Sequence, residues 1–399
     1  MKKGWEIKKF GEVCNFVRGP FGGSLKKSIF KENGYAVYEQ KHAIYDKFDN
    51  VRYFIDENKF KEMKRFELNT GDLIMSCSGT IGKIAIVPDG IKKGIINQAL
   101  LILSPTNKLN NIFLKLWMQS ENFQESLNKF SKGAAIKNIA SVKVLKNIDI
   151  PIPPLPEQKR IVNILDKAFA EIAQAKANAE QNLKNAKELF ESYLNRIFEN
   201  KGEDWVEKTL GEVCVKTETV NPKLEPKKEF VYIDVSSVNK ETKIIEETTT
   251  LLGKDAPSRA RKFVRTNDVI FATVRPTHQR VAIINNEFNN QVCSTGYYVL
   301  RTKEIVHYKI IYYYILTFSF NEEMKKRQKG ASYPAVTNKD VESQIISFPK
   351  SKAEQKQIVK ELDQLQAETK KLELVYQQKL VNLEELKKSI LQKAFNGEL

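Results

Sequence analysis

Histidine and cysteine are scarce in this chain. There are three histidines (His42, His278, His307) and four cysteines (Cys14, Cys77, Cys214, Cys293). No two cysteines are spaced as zinc ligands and the histidines stand far apart, so the sequence lacks the usual nitrogen and sulfur set for a metal. Isolated cysteines of this kind fit a reduced, cytoplasmic protein. Long apolar runs are missing too. The most apolar stretch, residues 305–320, is interrupted by His307 and Lys309. It is too short to span a bilayer and reads as a buried helix. No signal peptide opens the sequence, so no membrane association is expected.

Catalytic signatures are equally thin. Ser78-Gly79-Thr80-Ile81-Gly82-Lys83 resembles a fragment of a phosphate-binding loop, but its glycines are too close together. Ile84 also replaces the hydroxyl that such a loop offers to Mg²⁺. There is no Asn/Asp-Pro-Pro-aromatic run for methylating a base amino group, and no glycine-rich cofactor loop follows a strand. Pro88-Asp89 has no Glu-x-Lys at usable spacing, and Glu39-Gln40-Lys41 lacks the upstream acid of a metal-dependent nuclease. The chain is therefore expected to need no cofactor of its own and to bind rather than react.

What is present is positive charge and repetition. The formal charge is +16 and the pI about 9.3, an electrostatic footprint suited to nucleic acid. Basic runs fall at Ser258-Arg259-Ala260-Arg261-Lys262, Arg275-Pro276-Thr277-His278-Gln279-Arg280 and Lys325-Lys326-Arg327-Gln328-Lys329. Repetition begins with Trp5 and Gly11-Glu12-Val13-Cys14, which return as Trp205 and Gly211-Glu212-Val213-Cys214. Gly71-Asp72-Leu73-Ile74 returns as Asn267-Asp268-Val269-Ile270, and Lys83-Ile84-Ala85-Ile86 as Arg280-Val281-Ala282-Ile283. Lys132-Gly133-Ala134 returns as Lys329-Gly330-Ala331, and Glu157-Gln158-Lys159 as Glu354-Gln355-Lys356. A period this long means two whole domains, not a solenoid.

Each copy opens with short β-type runs broken by Gly, Pro, Asn and Asp. Each ends in a long segment nearly free of Pro and Gly. In copy one, apolar or small residues recur in steps of three and four from Ile161 to Ile197; in copy two they run from Ile358 through Leu372 to Ala394, with Lys387 intruding. These are the seams of two amphipathic helices, each roughly 60–65 Å long. Both take two successive four-residue steps at the same place, a local departure from heptads. Neither helix can bury its stripe alone, so the two are expected to pair antiparallel.

In this order, these features resemble the specificity subunit of type I restriction–modification enzymes. The resemblance covers the whole chain. It rests on the repeated opening, on Tyr38-Glu39-Gln40-Lys41-His42-Ala43-Ile44, and on Pro151-Ile152-Pro153-Pro154-Leu155-Pro156-Glu157-Gln158. In copy two it rests on Tyr232-Ile233-Asp234-Val235-Ser236-Ser237-Val238, Ala256-Pro257-Ser258-Arg259-Ala260-Arg261 and Thr273-Val274-Arg275-Pro276. The closing Leu391-Gln392-Lys393-Ala394-Phe395-Asn396-Gly397-Glu398-Leu399 resembles a common finish of these subunits. Copy two departs from the pattern at Lys350-Ser351-Lys352, where the prolines are eroded.

The resemblance implies an α+β, pseudo-two-fold molecule. Target-recognition domains span residues 1–155 and 201–352, and helical spacers span residues 156–200 and 353–399. It implies a non-catalytic scaffold that binds double-stranded DNA at an asymmetric bipartite site. Two modification subunits using S-adenosylmethionine would dock on it, with restriction subunits using ATP and Mg. The expected DNA contacts are Gln40, Lys41 and His42, which align with Asp234, Val235 and Ser236. Lys83, Ser258, Arg259, Arg261, Arg275, Arg280 and Lys329 join them. Tyr333 is either on a DNA-facing loop or in a turn that begins the next strand. Two other classes compete: a self-contained methyltransferase or nuclease, whose motifs are missing, and a coiled-coil bridging protein, which leaves the globular halves unexplained.

Overall fold

A computed structural model describes residues 3–130 and 141–399. The repeat segment Lys132-Gly133-Ala134 lies outside the described residues. The chain divides into two compact units, one built from residues 1–179 and 378–399, the other from residues 180–377. Each unit therefore takes part of both long helices, Leu155–Glu199 and Lys352–Asn396, each of 45 residues.

In unit one, a four-stranded antiparallel sheet runs in the order Cys14–Arg18, Leu100–Pro105, Leu73–Ser76, Ile84–Ile86. A three-stranded sheet pairs Tyr35–Tyr38 with Tyr53–Ile55 and, in parallel, with Gly94–Ile96. Strand Leu73–Ser76 is buried along its whole length. Alternate residues on a strand point to opposite faces. Leu73 and Met75 accordingly join a core with Phe113, Trp117 and the long helices. Ile74 joins a second core with Ala36 and Tyr38 of the smaller sheet.

Unit two repeats the arrangement, except that its second sheet has four strands, the additional one being Ala260–Val264 beside Gln291–Ser294. Its first sheet runs Cys214–Val215, Tyr297–Thr302, Val269–Ala272, Val281–Ile283. Val269 and Phe271 face the helices, while Ile270 and Ala272 face the second sheet. The stretch expected to be a buried helix forms one, Tyr308–Leu316. Among the described residues, no helix is long and apolar enough to cross a membrane. The repeated Asp-apolar-Ile signature is a turn. Gly71 and Asn267 take left-handed φ of 84° and 71°, a conformation these two residue types tolerate best. The next residue's carboxylate then accepts a backbone N–H, Asn69 to Asp72 at 2.9 Å and Arg265 to Asp268 at 2.8 Å.

Within each unit the helices pack antiparallel. In unit one, Lys176 bonds Glu384 at 2.5 Å and Lys387 lies 5.0 Å from the Phe169 ring centre. In unit two, Tyr193 donates to Glu361 at 3.1 Å. The seam of copy one is buried or half-buried throughout. Copy two departs from expectation at Leu372, which is 42 % exposed. The matching position in copy one, Ala175, is half-buried, so the four-residue steps shared by both helices do not by themselves expose the stripe.

The helix starts are fixed by a buried glutamine. Gln158 accepts the Asn110 N–H at 2.8 Å and donates to the Lys108 and Pro153 carbonyls at 2.9 and 2.8 Å. Gln355 accepts the His307 N–H at 2.8 Å and donates to the Ile305 and Pro349 carbonyls at 3.0 and 2.8 Å. The eroded prolines of copy two thus leave this joint unaltered. Replacing either glutamine by alanine strands three buried backbone groups. Each such replacement should lower unfolding free energy by about 2–4 kcal/mol, whereas exposed Gln181→Ala should change it by under about 0.5 kcal/mol. Urea unfolding reads this directly, and equal effects at the two kinds of site would refute the role given to the glutamines.

Candidate nucleic-acid interface

In unit two, backbone hydrogen bonds gather four segments at one end of the sheets. The Thr295 N–H donates to the Arg259 carbonyl at 2.8 Å and the Thr273 N–H to Gly296 at 2.8 Å. Arg275 N–H donates to Pro334 at 2.7 Å and Val336 N–H to Thr273 at 2.9 Å. Lys329 and Ala335 exchange both backbone bonds at 2.9 Å. Arg259, Arg275, Lys329 and Tyr333 are thereby presented together, all exposed. The Arg275 guanidinium lies 5.3 Å from the centre of the Tyr333 ring, and Tyr333 is 72 % exposed. The hairpin carrying Arg275 is strained at both ends, with φ of 50° at Arg275 and 47° at Gln279. Outside glycine such values persist only where the surroundings enforce them.

The basic runs divide by partner. Lys325 and Lys326 bond Glu322 and Glu323 on their own helix, at 3.1 and 2.8 Å. Arg259, Arg275 and Lys329 form no ion pair with a carboxylate among the described residues. Two expected DNA contacts are differently employed. Arg280 donates to the Ser236 carbonyl at 3.1 Å and also to that of Val238, tying the hairpin to the turn at residues 234–238. Arg261 occupies a β-bulge between Ala260 and Lys262. It donates to the Ser258 carbonyl at 3.2 Å and to Asn221. The bulge turns its side chain along the surface, and Ser258 is left exposed.

Unit one builds the same end with different side chains. The Cys77 N–H donates to Ala99 and the Asn97 N–H to Tyr38, both at 2.9 Å. Gln40 Nε2 donates to the Thr80 carbonyl at 3.2 Å. This spans the same two segments that Arg280 joins in unit two. Lys41 is half-buried and donates to the Asn50 carbonyl at 2.7 Å. Lys83 is exposed beside the hairpin tip. His42 corrects the sequence reading: it is 1 % exposed, and its Nδ1 accepts the Glu39 N–H at 2.8 Å. Burial lowers its pKa, so the neutral ring caps a helical turn and packs edge-on to Tyr38. A polar residue between Lys41 and Ala43 gives no sign in the sequence of pointing inward.

Sequence reasoning missed Lys243. It lies in a charged run that reads as a solvated turn. Yet its ammonium reaches in to donate to the Gln279 carbonyl at 2.7 Å, from a backbone φ of 59°. Burial pushes the ammonium down to about 8, against ~10.4 for a lysine in an unfolded chain. Between those values the unfolded chain holds more protons, so stability rises with pH. Relative to Lys243→Met, the wild type should gain stability from about pH 8 to about pH 10. Urea titrations of both proteins at two pH values measure this, and a constant difference would mean that the ammonium is solvated.

Comparison with known proteins now identifies the frame. A family model described as Type I restriction modification DNA specificity domain matches residues 2–184 and again residues 202–380. The specificity subunit of the Escherichia coli (strain K12) type I restriction enzyme EcoKI is 24 % identical over 424 residues, covering 100 % of this chain and 90 % of that protein. The fold matches the crystal structure of an HsdS subunit from Thermoanaerobacter tengcongensis, with a TM-score of 0.67, 20 % identity and coverage of 100 % and 98 %. It also matches a chain from a structure of type I R-M complex assembly and conformational transition, with a TM-score of 0.77, 19 % identity and coverage of 100 % and 99 %. With both halves matched, this chain belongs to the family of type I restriction modification DNA specificity subunits.

Proposed function

We propose that this chain supplies sequence recognition to a type I restriction–modification complex, each unit reading one half of an asymmetric bipartite DNA site. One observation carries the reading. The two units share a frame down to equivalent backbone bonds, yet at the same end of that frame unit one presents Lys83 beside the Gln40–Thr80 bond, and unit two presents Arg259, Arg275, Lys329 and Tyr333. Two different half-sites require that combination. Lysine and arginine can bind guanine or phosphate. Two modification subunits holding S-adenosylmethionine, and restriction subunits using ATP and Mg, would do the chemistry in the cytoplasm.

Two features support a non-catalytic role for the chain itself. Burial pushes the Cys77 and Cys214 thiols up to about 12, which leaves them unreactive. The loop at residues 78–83 joins two antiparallel strands, so it has no helix N-terminus to hold a phosphate. Replacing residues 1–150 by those of a relative should alter one half of the methylated site when the complex is reconstituted. The chain alone, given methyl donor and ATP, should leave DNA unmodified. A change in both halves, or methylation by the isolated chain, would overturn the assignment.

The arginines separate by role. Arg259→Gln and Arg275→Gln should each weaken duplex binding and reduce the salt slope by about one. Arg280→Gln should lower stability and leave the slope alone, because its guanidinium is taken by carbonyls. Binding isotherms across a salt series check this, and an unchanged slope for Arg259→Gln and Arg275→Gln would remove both from the phosphate contacts.

A further inference from the structure

Phe21 is the most exposed large apolar side chain among the described residues, at 91 %. Scattered exposed apolar residues are ordinary on protein surfaces, so exposure alone assigns nothing. The setting of Phe21 does. It stands in Gly19-Pro20-Phe21-Gly22-Gly23, after the strand Cys14–Arg18. The root of this loop is held tightly. The Gly19 N–H donates to the Leu100 carbonyl at 2.9 Å, and a Cβ on Gly19 would sit 2.0 Å from the Asn97 carbonyl oxygen. Pro20 is buried. The Ser24 N–H closes the loop on the Phe21 carbonyl at 2.8 Å. A ring with one anchored root therefore projects from the surface.

The place is the end of unit one already described. Asn97, against which Gly19 packs, donates its N–H to Tyr38, two residues before Gln40, and Ala99 accepts the Cys77 N–H. Phe21 thus shares an end with the Gln40–Thr80 bond and the hairpin that carries Lys83. Lys26 and Lys27 follow it, both exposed. An exposed aromatic tip followed in the chain by two exposed lysines complements a ligand with stacked apolar faces inside an anionic backbone, which is duplex DNA.

We infer that Phe21 is an apolar wedge that enters the half-site read by unit one and packs between the faces of one base-pair step. This rests on the DNA-reading function proposed above. Sequence discrimination follows from it, since flexible pyrimidine–purine steps open at lower cost than others.

The test uses the full chain assembled with modification subunits, on duplexes bearing single 2-aminopurine substitutions along the mapped half-site. Wild type should raise fluorescence at one step. Phe21→Leu should keep that signal, and Phe21→Ala should lose it. Phe21→Ala should also weaken specific binding about tenfold, leaving non-specific binding, the salt slope and the thermal midpoint unchanged. Persistence of signal and affinity in Phe21→Ala would overturn the wedge, as would specific binding by wild type with no bright position. Failure of wild type to bind duplex DNA at all would overturn both the wedge and the recognition function.

Discussion

Each unit depends on one buried side-chain amide. Gln158 and Gln355 sit where a long helix leaves its globular part, and each joins three backbone groups from two segments. A planar amide with one acceptor and two donors fixes direction as well as position. In a buried setting such bonds are stronger, and their loss is more costly, than in water. The helix seam, the sheet packed on it and the loops beyond the sheet take their places from that junction. Apolar packing supplies most of the stabilisation, but it is non-directional. The glutamine is what makes the angle of departure specific.

From there outward, both units follow the same plan through the first sheet, and the second sheet has three strands in unit one and four in unit two. Strands Leu73–Ser76 and Val269–Ala272 are buried on both faces, so their residue choices are constrained from two sides. At the loops that constraint ends. The same crossing between turn and hairpin is made by Gln40 in one unit and by Arg280 in the other. The first donates from the turn to the hairpin, the second from the hairpin to the turn. A frame that accepts either solution can carry different surfaces without being rebuilt.

Much of this was legible in the sequence because it is periodic. The helix seams, the repeated turn at Gly71-Asp72 and Asn267-Asp268, and the buried helix Tyr308–Leu316 all follow from spacing and residue type. The resemblance to the family rested on the same motifs. What escaped was the fate of individual polar atoms. His42, Arg261, Arg280 and Lys243 look alike in a sequence: polar groups in polar surroundings. Their roles depend on which carbonyl or N–H stands within reach, and that is decided by segments far away in the chain. Arg280 meets residues 236 and 238, and Lys243 meets residue 279. Leu372 escaped for another reason, since spacing identical to that of the half-buried Ala175 does not tell which apolar position a partner helix will cover.

The two junctions reach equivalent hydrogen bonds from unequal sequences. Copy one enters its helix through Pro151, Pro153, Pro154 and Pro156, whereas copy two has Pro349 followed by Lys350-Ser351-Lys352. Proline restricts the disordered chain as well as the ordered one, and each well-placed proline favours folding by about 0.4–1 kcal/mol through that restriction. The first junction therefore starts closer to its final path and surrenders less conformational freedom on closing. The second must be ordered from a more mobile strand. Two halves that look interchangeable once folded are thus unequal in how readily they open, and the second junction is the one at which the molecule should begin to come apart.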